Sequence, residues 1–306
     1  MEIKGKRIII TGGAGFIGSN LAAVLAKDNE VVAIDNMHTG SEANLENSAG
    51  KGAVRLVKAD SADIEKAGIK PDIIFHLGMP SSSPMYKEDN YLVSEVVRGA
   101  IGVYRFAMKS GARVVFASTS SVYNGNQTPY TESQQLKVTD FYTEARITVE
   151  RLAELYHGLY GMDAIGLRLF SVYGPHEESK KGYANLVSQF IWSMKKGESP
   201  VVYGDGSQTR DFTYVDDIVD AFIKAAGTNG FDIFNAGTGK SFSLNELVSK
   251  LGTAMGVDTK PKYISADMSN YVMRTMADTG KAEKTLGFKA KNSLDDGIRK
   301  LVEYYG

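Results

Sequence analysis

Two side chains four residues apart, Tyr142 and Arg146 in the run Phe141-Tyr142-Thr143-Glu144-Ala145-Arg146, have the types and spacing for joint proton chemistry. That spacing puts them on one face of a helix. A free phenol ionises near pH 10, and a fixed cation beside it stabilises the phenolate, which suits it to act as a general base. Taken alone, the pair reads more readily as an ordinary helix surface, because such pairs are common. A second feature is a turn rich in glycine, Gly12-Gly13-Ala14-Gly15-Phe16-Ile17-Gly18, between the apolar run Arg7 to Thr11 and the helical stretch Ser19 to Lys27. Gly13, Gly15 and Gly18 have the spacing of a dinucleotide-binding turn, in which glycines allow a tight bend, close approach to a pyrophosphate and close helix packing. The helix start offers free N–H groups to phosphate. Asp35 closes the next apolar run, Glu30 to Ile34, about 20 residues beyond the turn, where a carboxylate grips the adenosine ribose. It would repel a 2′-phosphate, so the cofactor expected is NAD and not NADP.

For these groups to meet, a parallel sheet must carry them. Short β-branched apolar runs alternate with helical segments through the first half of the chain, which predicts strands over 6–11, 30–35, 53–59, 72–77, 112–118 and 163–169. The fold class expected is α/β, a Rossmann-type doubly wound parallel sheet with a smaller, discontinuous C-terminal substrate lobe. Ligands bind beyond the carboxyl ends of strands in such sheets. The residues there are small and polar: Asp60-Ser61 after the third strand, His76 to Ser83 after the fourth, and Ser118-Thr119-Ser120-Ser121-Val122-Tyr123 after the fifth. Each serine cluster alone reads as a solvated loop; their joint location is what points to a site. Helical periodicity predicts long helices over about 85–110 and 140–160, and after Gly174-Pro175 a short strand near 211–214 with helices near 215–227, 243–255 and 293–305. The domains expected are residues 1–174 for the cofactor, with a return over about 211–240, and 175–306 mainly for the substrate.

The bulk numbers remove other classes. A net charge of −1 over 306 residues, with no basic stripe, argues against nucleic-acid or membrane-surface partners. No cysteine is present, which excludes disulfides, thiolate catalysis and cysteine-ligated metal, and the four histidines are scattered, so no metal is expected. Nothing reads as a signal peptide or membrane span, which makes the cytoplasm the default location.

The chain resembles the extended short-chain dehydrogenase/reductase family, in particular its nucleotide-sugar epimerases and dehydratases, over nearly all its length. The resemblance rests on Thr11 to Asn20, Ile34-Asp35-Asn36, Phe75-His76-Leu77, Ser118 to Tyr123, Leu167 to Pro175 and Tyr203 to Asp217, with Asn235 to Gly239 and Ala277 to Ala282 added near the C-terminus. It implies that Tyr142 takes the proton from a sugar hydroxyl as hydride leaves the same carbon for nicotinamide, while Thr119 hydrogen-bonds that oxygen. Rotation of the keto sugar before hydride returns inverts the carbon, and NAD is regenerated. Cofactor contacts are expected from Gly12, Gly15, Phe16, Ile17, Gly18, Asp35, Asn36, Thr39, Gly40, Asp60, Ser61, Leu77, Gly78 and Met79, together with Tyr142 and Arg146. Substrate contacts are expected from Ser81, Ser82, Thr119 and Ser171, from Asn185 and Arg210 toward a diphosphate, and from Tyr203 toward uracil. A surface ion pair with Asp211 or Asp205 is the alternative for Arg210.

The departures from the family pattern are informative. Arg146 stands where lysine is usual, keeping the charge in a bulkier, planar group. Ser120 and Ser121 stand where the family's 4,6-dehydratases carry an Asp-Glu pair, which favours epimerisation over loss of water. Ser171, Val96 and Gly102 replace common asparagines, and Met268-Ser269-Asn270-Tyr271 replaces an arginine-bearing loop. Thr275 falls where a small residue leaves room for an N-acetyl group, with a solvent-facing threonine as the alternative. The reading favoured is an NAD-dependent UDP-glucose/UDP-galactose 4-epimerase, with N-acetylated sugars admitted. Its rivals are another epimerase, a dehydratase or a reductase of the same family, and a non-catalytic NAD or nucleotide-sugar binding protein. The resemblance implies a homodimer in which the long helices pair with their copies in a four-helix bundle, with apolar faces satisfied against the sheet as the alternative.

Overall fold

A computed structural model of the chain describes residues 2–46, 53–265 and 271–306. Its centre is a seven-stranded, wholly parallel sheet. Six strands are those the sequence predicts: β1 (Arg7–Thr11), β2 (Glu30–Asp35), β3 (Val54–Lys58), β4 (Ile73–His76), β5 (Arg113–Thr119) and β6 (Ala164–Leu169). The seventh, Phe231–Ala236, lies outside that reading and pairs with β6 at the sheet edge. The order is Phe231–Ala236, β6, β5, β4, β1, β2, β3. Helices cover both faces, so β1 is a continuous apolar run, Ile8 to Ile10, with no exposed surface. Connections leave β1 in opposite directions, and the crevice between β1 and β4 at their carboxyl ends is the position where such sheets bind ligands.

The 140–160 helix is observed as Phe141–Tyr160, and its start is fixed by a capping box. Asp140 accepts from the Thr143 N–H, and the Thr143 hydroxyl accepts from the Asp140 N–H. The 85–110 segment, by contrast, is two helices, Ser83–Glu88 and Leu92–Ser110. The break is local: Asp89 is extended at φ −142° and its carboxylate accepts the Tyr91 N–H, a side-chain turn that competes with the helix. Gly102 has a steric reason to be glycine, because a Cβ there would lie 2.7 Å from Ala62 Cα, between the long helix and the segment it packs on.

The later helices fall at Val215–Ala225, Leu244–Met255 and Leu294–Tyr305, close to expectation. The strand expected near 211–214 is instead two short pieces, Thr209–Arg210 and Thr213–Tyr214. Phe212, Leu247, Leu251, Ile298 and Leu301 belong to a second apolar core, separate from the sheet core that takes in Ile218, Phe222 and Phe234. No helix among the described residues is long and apolar enough to cross a membrane.

Candidate active site

A cleft of about 430 Å³ opens along the carboxyl ends of the strands and runs into the second lobe. At one end stands the glycine turn. Gly12 has φ +68°, and a Cβ on it would sit 2.8 Å from the Gly78 backbone, so both the conformation and the contact require glycine. The following helix, Phe16–Leu25, begins at Gly15 with no side chain capping it, and Gly15, Phe16, Ile17 and Gly18 all line the cleft. Uncapped N–H groups at a helix start fit a pyrophosphate. Asp35 also lines the cleft, its carboxylate held by the Ala14 and Met37 N–H groups at 3.0 and 2.8 Å. Burial pushes its pKa up, against those hydrogen bonds, which lower it. These features fit NAD, with the turn for the pyrophosphate and the carboxylate for the ribose. Asn36, Thr39, Asp60, Ser61, Leu77, Gly78 and Met79 line the same space. Gly40 does not: it lies behind Asp35, where a Cβ would meet the carboxylate at 2.8 Å.

At the middle of the cleft the structure brings Tyr142, Thr119 and Arg146 together. Tyr142 is 9 % exposed and its hydroxyl makes no hydrogen bond with any described residue. Arg146 is buried, its guanidinium 5.1 Å from the centre of the Tyr142 ring. It donates to Met79 Sδ at 2.7 Å and to the Pro80 carbonyl at 2.8 Å, while its buried Nε has no hydrogen-bond partner among the described residues. The Pro80 carbonyl also accepts the Tyr86 hydroxyl, and burial pushes that phenol up to about 12, which leaves Tyr86 a neutral neighbour edge-on to Tyr142. Thr119 accepts the Ser121 N–H, which shapes the short turn Ser120–Tyr123. That turn gives the cleft Ser120 and Ser121 and no carboxylate.

His76 ends β4 beneath this centre, fully buried, with Nδ1 2.7 Å from the Thr11 hydroxyl. Burial, reinforced by the Arg146 charge, drives its pKa down to about 3, so the ring is neutral at working pH.

The far end receives Ser81, Ser82, Ser171, Asn185 and Arg210. Arg210 forms no ion pair with Asp211 or Asp205 among the described residues; it donates to the Thr209 carbonyl and lies over the Tyr271 ring at 5.3 Å. Asp211 is instead fully buried and accepts from Thr238, Gly239 and Ala277. Asn185 is already occupied in part: Oδ1 caps the Leu186–Lys195 helix at the Val187 N–H and Nδ2 donates to the Val172 carbonyl. One amide hydrogen is left for a ligand. Tyr203 does not line the cleft; its ring is 46 % exposed on the short strand Val201–Tyr203. Met268 to Asn270 lie outside the described residues. Thr275 is buried and lines the cleft, with its hydroxyl accepting the Asp211 N–H, so the solvent-facing alternative does not hold.

Lys180 and Tyr183 also line the cleft and were not anticipated. Lys180 sits over the Phe16 ring and bonds buried Glu177, while Tyr183 donates to Glu88 across 95 residues of chain. The adjacent lysines Lys180-Lys181 are the local sequence feature that marks this segment.

A model of the NAD dependent epimerase/dehydratase family matches residues 8–237. A UDP-glucose 4-epimerase of Mycolicibacterium smegmatis is 33 % identical over 310 residues, covering 98 % of each chain. Among solved structures, a UDP-N-acetylglucosamine 4-epimerase from Methanobrevibacter ruminantium, in complex with UDP-N-acetylmuramic acid, superposes with a TM-score of 0.93 at 30 % identity over 99 % of both chains. A UDP-glucose 4-epimerase from Thermotoga maritima, with UDP-glucose, gives 0.91 at 29 % identity over 98 % of both.

Proposed function

The chain belongs to the NAD-dependent epimerase/dehydratase family, and we propose that within it this enzyme inverts a carbon of a nucleotide sugar, C4 of a UDP-hexose being the favoured case. The observation that carries the reading is the pairing of an unpartnered Tyr142 hydroxyl with a Thr119 turn that supplies hydroxyls and no carboxylic acid. Dehydration needs an acid to protonate a departing hydroxide, and serine does not replace one.

Bound NAD supplies a reversible hydride acceptor. Around it, Tyr142 accepts the proton of the sugar hydroxyl and later returns it, and Thr119 donates a hydrogen bond to the same oxygen as charge builds. Arg146 keeps a positive charge against the Tyr142 ring while it holds the Met79 side chain and the Pro80 carbonyl. Residues 1–174 with the returning 211–240 stretch hold the cofactor in this proposal, and most of 175–306 holds the nucleotide sugar. Arg210, with its planar fork, and the free Asn185 amide hydrogen serve the diphosphate. Small side chains at Ser171 and Thr275 support acceptance of N-acetylated hexoses as well, in keeping with the N-acetyl sugar named for one structural neighbour. A homodimer and a cytoplasmic location complete the proposal.

Purified enzyme mixed with UDP-galactose is expected to form UDP-glucose with no added NADH, and Tyr142→Phe is expected to lower kcat by about 10³-fold or more while NAD stays bound. Stoichiometric consumption of NADH would mark a reductase instead. Mass spectrometry of nucleotides released on denaturation reports cofactor and sugar class together.

A further inference from the structure

Glu150 projects from the same helix face as Tyr142 and Arg146, one further turn along. It is 5 % exposed, and its carboxylate takes Arg168 in a two-pronged pair, Nε at 2.8 Å and Nη2 at 2.6 Å. Its Oε1 also accepts the Ser118 hydroxyl at 2.5 Å. Ser118 is the residue before Thr119 and stands opposite Arg168 in the β5–β6 register. Arg168 continues the chain of bonds, its Nη1 donating to the Tyr123 hydroxyl at 2.7 Å, and that hydroxyl donates to Asn235 on the outermost strand at 2.9 Å. One buried ion pair therefore holds the helix that carries Tyr142, the strand end that carries Thr119 and the far end of the Ser120–Tyr123 turn.

A buried ion pair is a poor source of stability, because desolvation offsets its attraction and an apolar pair of similar volume is often as stable. What it supplies is direction: a guanidinium that donates two parallel hydrogen bonds holds a carboxylate in the plane of its fork. We propose that Glu150 and Arg168 are positioning residues that set the separation of Tyr142 from Thr119 by locking the helix to the end of β5. The proposal rests on the epimerase reading for its rate consequence. A displacement of about 1 Å between groups acting on one oxygen costs on the order of 10²-fold in rate.

Two variants test it. Ser118→Ala cuts the strand's tether and leaves the ion pair whole, so the fold is kept; Glu150→Leu with Arg168→Met removes the directed bonds without stranding a charge. With UDP-galactose as probe, both are expected to lose kcat by about 10- to 100-fold at nearly unchanged KM, with urea midpoints close to the parent's. A kcat per folded molecule equal to the parent's overturns the proposal. In crystal structures of parent and variants, the Tyr142 Oη to Thr119 Oγ1 separation is expected to change by about 0.5 Å or more, and an unchanged separation overturns it too. The second measurement needs no substrate. A parent inactive on UDP-galactose counts against the reaction assigned above, and the separation still decides the role of the pair.

Discussion

Arg146 shows what a change from ammonium to guanidinium does when the cation is built into a wall. A lysine offers one point charge on a flexible stem; Arg146 reaches Met79 Sδ and the Pro80 carbonyl at once while its plane rests near the Tyr142 ring. Arg146→Met is therefore expected to lower kcat on UDP-galactose by about 10²-fold or more, since charge building at the reacting oxygen loses a fixed cation beside it. An unchanged kcat would show that the guanidinium only packs. His76 makes a stability prediction of its own. The unfolded imidazole takes up a proton below about pH 6.5, whereas the buried one resists until about 3, so between those values the unfolded state binds more protons. Stability should thus fall as pH drops from about 6.5 toward 3 and be insensitive to this group above 6.5. Urea titrations at pH 7, 5 and 4 should show a flatter decline in His76→Asn, whose side-chain oxygen can still meet the Thr11 hydroxyl; an identical decline would assign the loss to other groups.

At the scale of elements, buried loop anchors matter as much as strands. Asp211 ties together the Thr238-Gly239 turn and the backbone at Ala277, and both its oxygens accept N–H donors. Asp211→Asn would turn an amide N–H₂ toward those donors, and a loss of about 2–3 kcal/mol is expected in urea denaturation. A loss below 0.5 kcal/mol would mean that the loops re-pair. None of this anchoring was legible beforehand: Asp211 read only as a possible partner for Arg210, because the turns it binds lie up to 66 residues away. The inner strands were legible where burial on both faces makes short apolar runs, as at Ile8–Ile10 and Val31–Ile34, and the glycine turn fixes where the first one ends. β3, at the sheet edge and only partly buried, was read from its β-branched and apolar residues around Arg55. Phe231–Ala236 was harder. Its Asp232 and Asn235 interrupt the apolar run, and each is satisfied by distant partners, Lys281 and Tyr123. The same limit explains the cleft: Tyr142, Thr119 and the glycine turn carry local signatures, whereas Lys180 and Tyr183 reach it through a loop whose path depends on Glu177, Phe16 and Glu88.

At the scale of the whole molecule, two neighbouring helices leave apolar side chains exposed on their outer faces. Leu92–Ser110 and Phe141–Tyr160 lie side by side, joined where the Tyr104 hydroxyl donates to the Val149 carbonyl and its ring meets Tyr156 edge-on at 5.5 Å. Their inner faces are satisfied against the sheet, with Val96, Ala100, Val103 and Ala107 buried. Their outer faces are not: Leu155 is 56 % and Leu159 67 % exposed, and Val97, Ile101, Met108 and Leu152 are only partly covered. Spacings of three, four and seven place these residues as one stripe on each helix. A second copy of the chain would bury both stripes in a four-helix bundle related by a two-fold axis, the commonest closed symmetry. Light scattering at micromolar concentration should then give twice the mass of the chain, and Leu155→Glu with Leu159→Glu should give the single-chain mass by placing like charges together at the centre of the interface. Because that stripe lies at the far end of the helix from Tyr142, the monomeric variant should keep its bound NAD, measured after gel filtration. A parent that is monomeric at that concentration would mean that the stripe is plain surface.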